Sequence, residues 1–108
     1  MSTKNKKIGV AEIEKQYGHL TFAKLLKAHR LGEEMTQVEM AKLLKISKQG
    51  FNDLERGRKI PSIRRAVQIA RKMGLLEDLL VQLVLQDQVR REKLNFIVSV
   101  SKGLDLAS

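Results

Sequence analysis

The sequence predicts a mainly α fold: a five-helix domain with two short, steeply angled helices at its centre, then a C-terminal helix and a short β-strand used in dimerisation. Three observations carry this reading. Ser or Thr stands just before apolar residues at helical spacing at positions 21, 36, 47 and 62, the side-chain oxygens that a helix N-terminus needs. Gly18, Gly57 and Gly74 stand where such patterns stop, and Pro61 separates two of them. Alternation of apolar and polar residues with β-branched enrichment occurs once, over 95–101.

Residues 1–20 read as a basic N-terminal segment with a short helix over 10–17, ended by Gly18. Thr21 caps a helix over 22–31, with Phe22, Leu25, Leu26 and His29 at core spacing. Thr36 and Glu39 have the spacing of a capping box and open a helix over 37–44. Met40, Leu43 and Leu44 face inward there, and Ala41 lies where two helices approach most closely. Ile46 fills the space under the turn. Ser47 caps a helix over 48–56, which docks through Phe51 and Leu54 and stops at Gly57.

The outward residues of that helix are Lys48, Gln49, Asn52, Asp53 and Arg56. Side-chain amides match adenine, and Lys and Arg match guanine, because their donors and acceptors fit base edges in the major groove. Lys48 and Gln49 lie at the helix N-terminus, the end that enters the groove. Gln37 opens the preceding helix, where a backbone N–H and a side-chain amide can grip a phosphate together. Asp53 can accept from cytosine N4 or orient Lys48 or Arg56. Glu55 reads as structural, an ion-pair partner for Arg30 or Arg64, since phosphate repels an anion.

Ser62 caps a helix over 63–73, with Ile63, Val67, Ile69, Ala70 and Met73 on or near the core and Gly74 as its stop. The basic loop before it places Arg56, Arg58 and Lys59 for phosphate contact. A longer helix over 75–93 carries one stripe of Leu76, Leu79, Leu80, Leu83 and Val84 and a second of Val81, Leu85 and Val89. An apolar face that wide calls for burial on two sides, one within the chain and one against a second chain. In the 95–101 strand, Phe96, Val98 and Val100 alternate with Asn95, Ser99 and Ser101. No other segment reads as its partner, so it is expected to pair with a copy of itself or with another protein.

These marks together (Thr36-Gln37, Met40-Ala41, Ile46-Ser47, Leu54-Glu55-Arg56-Gly57 and the Arg58-Lys59-Ile60-Pro61-Ser62 tail) resemble the Cro/repressor type of helix-turn-helix, the fold of phage repressors and many small bacterial regulators. The resemblance covers residues 22–75. It implies phosphate contacts at Gln37 and Ser47 and base reading at Lys48, Gln49 and Asp53. Lys45 departs from it, standing where the family usually has Gly in the turn. A lysine in the left-handed conformation costs about 1 kcal/mol but adds a cation close to DNA.

The chain has 108 residues and a net charge of +9, enough length for one domain with a modest core. Its charge is uneven. Residues 45–72 hold nine Lys/Arg and two acids, whereas residues 73–108 hold four and five. The basic half is the half that would read DNA. There is no Cys, which excludes disulfides and thiol chemistry and fits a reducing cytoplasm. No secretory signal or membrane-spanning run is visible. No nucleophile–base pair, phosphate loop or metal-ligand cluster is visible either, so neither an enzyme nor a cofactor is expected.

The expected layout is 1–20 N-terminal segment, 21–75 DNA-binding domain, 76–101 dimerisation helix and strand, and 102–108 flexible tail. The expected function is sequence-specific recognition of a double-stranded DNA operator by a homodimeric cytoplasmic repressor. Base readers would be Lys48, Gln49, Asn52 and Asp53. Phosphate contacts would be Gln37, Lys45, Ser47, Arg56, Arg58 and Lys59. The dimer interface would be Val81, Leu85, Val89, Phe96, Val98 and Val100. A helix-turn-helix head with an apolar, strand-ended tail also resembles the antitoxins of bacterial toxin–antitoxin pairs, which implies a possible toxin partner. No small-molecule ligand is evident. A protein-bridging adaptor using the same fold is the reading from a different class.

Overall fold

A computed structural model of the chain describes residues 19–103 and forms five helices there. They are α1 (Phe22–Gly32), α2 (Gln37–Leu44), α3 (Lys48–Glu55), α4 (Ile63–Met73) and α5 (Glu77–Arg91). The expected helix over 10–17 lies outside the described residues.

Four of the five starts use the side-chain caps that the sequence marks. Thr21, Thr36, Ser47 and Ser62 accept the backbone N–H of Lys24, Glu39, Gly50 and Arg65. At α2 the box is complete, because Glu39 also accepts the backbone N–H of Thr36 at 2.8 Å. Helix α5 has no side-chain cap; Glu77 and Asp78 in its first turn and Arg90 and Arg91 in its last complement its dipole instead. It spans fewer residues than the apolar pattern suggests, and Leu76 is its exposed N-cap rather than part of the inner stripe.

All five ends share one device. A residue in the left-handed region follows each helix: Glu34, Lys45, Gly57, Gly74 and Lys93. The next N–H then returns to a carbonyl five residues back, as in Ile46 to Ala41 at 3.0 Å and Arg58 to Asp53 at 2.9 Å. Lys45 adopts φ 59°, ψ 43°. The turn therefore keeps its left-handed geometry without glycine, at the steric cost that a Cβ brings there.

The core takes side chains from every helix: Phe22 and Leu26 of α1, Met40, Ala41 and Leu44 of α2, Phe51 and Leu54 of α3, Ala66, Ile69 and Ala70 of α4, and Leu80, Leu83 and Val84 of α5. Helix α5 packs on α4 and α1, so its inner face closes the same core that supports α2 and α3. Asp87 adds a tertiary cap, its Oδ2 accepting the N–H of Phe22 at 3.0 Å. Burial pushes the Asp87 carboxyl up, against that hydrogen bond and the charges of Arg90 and Arg91.

Two further expected core residues are outside. Leu43 and Ile63 are exposed. A helix of 8 residues buries only one stripe, and Met40, Ala41 and Leu44 fill it. In α4 Ile63 shares the face of Ala66 and Ala70 but lies at the first residue of the helix, before the buried part of that face begins. Residues 94–103 form no strand. The expected 95–101 strand has no second strand to pair with among the described residues, and its backbone bonds to a side chain of α5 instead. No helix is long and apolar enough to cross a membrane among the described residues.

Candidate nucleic-acid interface

The angle between α2 and α3 is held by one polar cluster. Glu55, at the end of α3, receives a two-pronged contact from Arg30 of α1, Nε to Oε2 at 2.7 Å and Nη2 to Oε1 at 3.1 Å. Arg30 Nη1 also donates to the Met35 carbonyl in the α1–α2 turn at 2.9 Å. Gln37, the first residue of α2, donates its amide to Glu55 Oε1 at 2.8 Å. One carboxylate thus ties α1, α2 and α3 together, and Arg30 rather than Arg64 is its partner. Burial raises the Glu55 carboxyl, but the hydrogen bonds from Arg30 and Gln37 and the charges of Arg30 and Lys27 outweigh it, so the group titrates below its usual value. Hydrogen bonding to Glu55, against burial, holds Arg30 above its usual value.

Helix α3 presents its polar face to solvent from this frame. Lys48 and Gln49 are exposed at its N-terminus. Gln49 Nε2 donates to Asp53 Oδ1 at 3.0 Å, which leaves its second N–H and its carbonyl oxygen for a base edge. Asn52 is half-buried. Its Oδ1 accepts from Gln37 Nε2 at 3.2 Å and from Arg56 Nε at 3.3 Å. With both lone pairs engaged, Asn52 offers donors only, so as held it suits purine N7 or a phosphate rather than a paired contact to adenine.

Asp53 does not orient Lys48 or Arg56. Its side chain is 14% exposed and accepts from Arg58 Nη1 at 3.2 Å, with Lys59 Nζ at 3.9 Å from its other oxygen. The Asp53 backbone carbonyl also accepts the N–H groups of Arg58 and Lys59. One residue of α3 therefore holds Gln49 on one side and the basic loop on the other. Arg91, at the end of α5, fixes the loop from behind by donating to the carbonyls of Gly57 at 3.2 Å and Arg58 at 3.4 Å. Sequence reasoning missed this role of Arg91, since a backbone contact across 34 residues leaves no local pattern.

The cations and the start of α2 share a polar depression of about 570 Å³ lined by Lys27, Arg30, Gln37, Glu55, Arg56 and Arg58. The backbone N–H groups of Gln37 and Val38, in the first turn of α2, make no hydrogen bond among the described residues. They are donors of the kind that receive phosphate oxygens; the Gln37 side-chain amide does not share that grip as expected, because both its N–H groups are spent on Asn52 and Glu55. Lys27 joins the site although it was not singled out; its signal was its place three residues before Arg30, on the same face of α1. Ser47 Oγ accepts the Gly50 N–H and keeps its hydroxyl hydrogen to donate. Lys45 is exposed at the turn.

A capped pair of short helices, a polar outer helix and flanking cations define the class of DNA-binding transcription regulators. The family model described as Helix-turn-helix, of Cro/C1 type, matches residues 26–80, just over half of the chain, and the chain belongs to that family. No curated protein and no solved structure gives a match.

Proposed function

We propose that the protein is a sequence-specific repressor that binds double-stranded operator DNA as a homodimer. The observation that carries this reading is the face of α3: Lys48 and Gln49 stand in solvent at its leading end, on a helix whose angle a buried ion pair fixes. Base reading is assigned to Lys48 and Gln49, with Asn52 donating and Asp53 positioning Gln49 beside its neighbours. Phosphates fall to Gln37, Lys45, Ser47, Arg56, Arg58 and Lys59. Two copies joined through the half-buried Val81, Leu85 and Val89 of α5, and through Phe96, Val98 and Val100, would set two α3 helices about 34 Å apart, one turn of B-DNA. Occupying a promoter then blocks transcription without catalysis.

Selection of bound duplexes from a random DNA pool tests the reading. A pseudo-palindromic consensus is expected. Lys48→Ala and Gln49→Ala should each cost about 1–3 kcal/mol of discrimination and relax the consensus at separate positions. Unchanged sequence preference in both variants would remove base readout by α3. A narrower form of the proposal, an autoregulating antitoxin, rests on the pairing of a DNA-reading head with an apolar tail. Repeating the selection with the product of the adjacent gene tests it, because a neutralised partner should alter operator affinity.

A further inference from the structure

The strongest unexplained feature lies on the back of α5. Gln86 is 8% exposed, although a glutamine on a buried helical face brings a carboxamide that must be satisfied. Its Nε2 donates to the Phe96 carbonyl at 2.8 Å and its Oε1 accepts the Val98 N–H at 2.8 Å. One side chain thereby takes the two groups that flank Ile97, as a residue of a parallel neighbouring strand would. Farther on, Lys102 Nζ lies 3.5 Å from Glu77 Oε1 at the start of α5. From Gln86 back to Glu77 the helix rises roughly 13 Å, and five extended residues span roughly 16 Å. The segment after Ile97 therefore runs back along α5, over a distance that an extended chain of that length covers.

An extended segment with the backbone of residues 96 and 98 turned inward has the backbone of residues 95, 97 and 99 turned outward. Those N–H and C=O groups make no hydrogen bond among the described residues. Ile97 is 87% exposed and Phe96 64%. The outcome is a segment that is not itself a strand, with one side filled by the Gln86 side chain and its other side open to pairing.

We propose that a second copy of this chain occupies the open edge, strand antiparallel to strand, about a two-fold axis through Ile97. The proposal rests on the homodimer reading above and specifies its contact. The sequence around Ile97 selects the occupant. Reading outward in both directions, Phe96 answers Val98, Asn95 answers Ser99 and Leu94 answers Val100. An antiparallel pair centred on Ile97 therefore sets apolar against apolar and polar against polar at every crossing. A register moved by one residue opposes Asn95 and Ser99 to apolar side chains. Gln86 acts as the positioning residue: it holds the strand extended before the second copy arrives, which lowers the ordering cost of pairing. A lone two-stranded ribbon is marginal in water, so Val81, Leu85 and Val89 complete the contact.

Because the chain has no Cys, single cysteines report the register. In the full chain, under mild oxidation, Ile97→Cys should form a disulfide-linked dimer, since paired Cα atoms lie about 5.5 Å apart. Asn95→Cys and Ser99→Cys should not link to themselves, their equivalents being roughly 13 Å apart, but a mixture of the two should link to one another. Adding Gln86→Glu, which cannot donate to the Phe96 carbonyl when ionised, should lower the Ile97→Cys yield several-fold. Light scattering on the unmodified chain separates the failures. A monomer overturns both the homodimer and this contact. A dimer in which Ile97→Cys fails to link, or links no faster than Asn95→Cys, overturns the contact alone and leaves the tail edge to a different protein.

Discussion

Two carboxylates two residues apart on α3 do opposite work, and what surrounds each decides it. Glu55 is shut into the frame by Arg30 and Gln37, whereas Asp53 sits at the rim with Gln49 and Arg58. Breaking a buried pair leaves its partner charge uncompensated, so Glu55→Ala should destabilise the fold by about 3 kcal/mol at neutral pH. The folded state favours the ionised carboxylate. Its contribution is therefore complete above the usual glutamate value and is lost as pH falls from there through the lowered folded value. Denaturant unfolding at neutral and acid pH should show the gap between wild type and variant narrowing on acidification. Asp53→Ala makes the opposite test. It frees Arg58 and Gln49 and removes a negative charge from the interface. Non-specific DNA affinity should rise and the ratio of specific to non-specific affinity should fall, read by competition binding. Glu55's structural role was legible in the sequence because an anion is out of place against phosphate. The hold of Asp53 on the loop was not, because it depends on the chain doubling back after Gly57.

Helix ends are where element-scale energetics show most plainly. The caps at Thr21, Thr36, Ser47 and Ser62 were readable because a side-chain oxygen acts within three residues of itself. The left-handed stops at Gly57 and Gly74 were readable for the same reason, but those at Glu34 and Lys93 were not, since neither residue favours that conformation. Both ends are closed locally, the N–H groups of Met35 and Leu94 returning to the carbonyls of Arg30 and Val89. At Lys45 the expected cost can be measured. Lys45→Gly should raise stability by about 0.5–1 kcal/mol after allowing for the looser unfolded chain, a gain of roughly 3–6 °C in Tm for a domain of this size. The same change should weaken DNA binding by removing one cation at the turn. Thermal unfolding and binding on one variant thus separate the two effects of a single residue. Leu43 and Ile63 show the limit of periodicity: a short helix buries a narrow stripe, and spacing alone says neither which neighbouring residue falls outside it nor where along the helix burial begins.

Over the whole molecule, charge and shape divide the work. Cations gather around α3, the following loop and the start of α2, while the back of α5 carries Gln86 and the exposed apolar tail. The logarithm of the affinity for DNA should fall linearly with the logarithm of salt concentration, with a slope of about −0.9 for each phosphate neutralised. Arg58→Ala or Lys59→Ala should each reduce that slope by about 1 and weaken all sequences nearly equally, in contrast to changes at Lys48 and Gln49. Titrations of operator and random duplexes across a salt series distinguish the two patterns.

By itself the sequence determined the five described helices, the side-chain caps of four of them, the outward face of α3 and the uneven charge, because each follows from interactions within a turn or two of chain. Only the tertiary structure decided what those pieces do to one another. Arg30 rather than Arg64 closes on Glu55, Asp53 and Arg91 clamp the basic loop from two sides, and Gln86 replaces the missing neighbour of the tail. The reason is physical. Propensity and periodicity act locally, whereas a buried polar group takes whichever partner the fold brings within reach, and that partner stands 25 to 34 residues away in the first two of these contacts across the chain, Arg30–Glu55 and Arg91–Gly57.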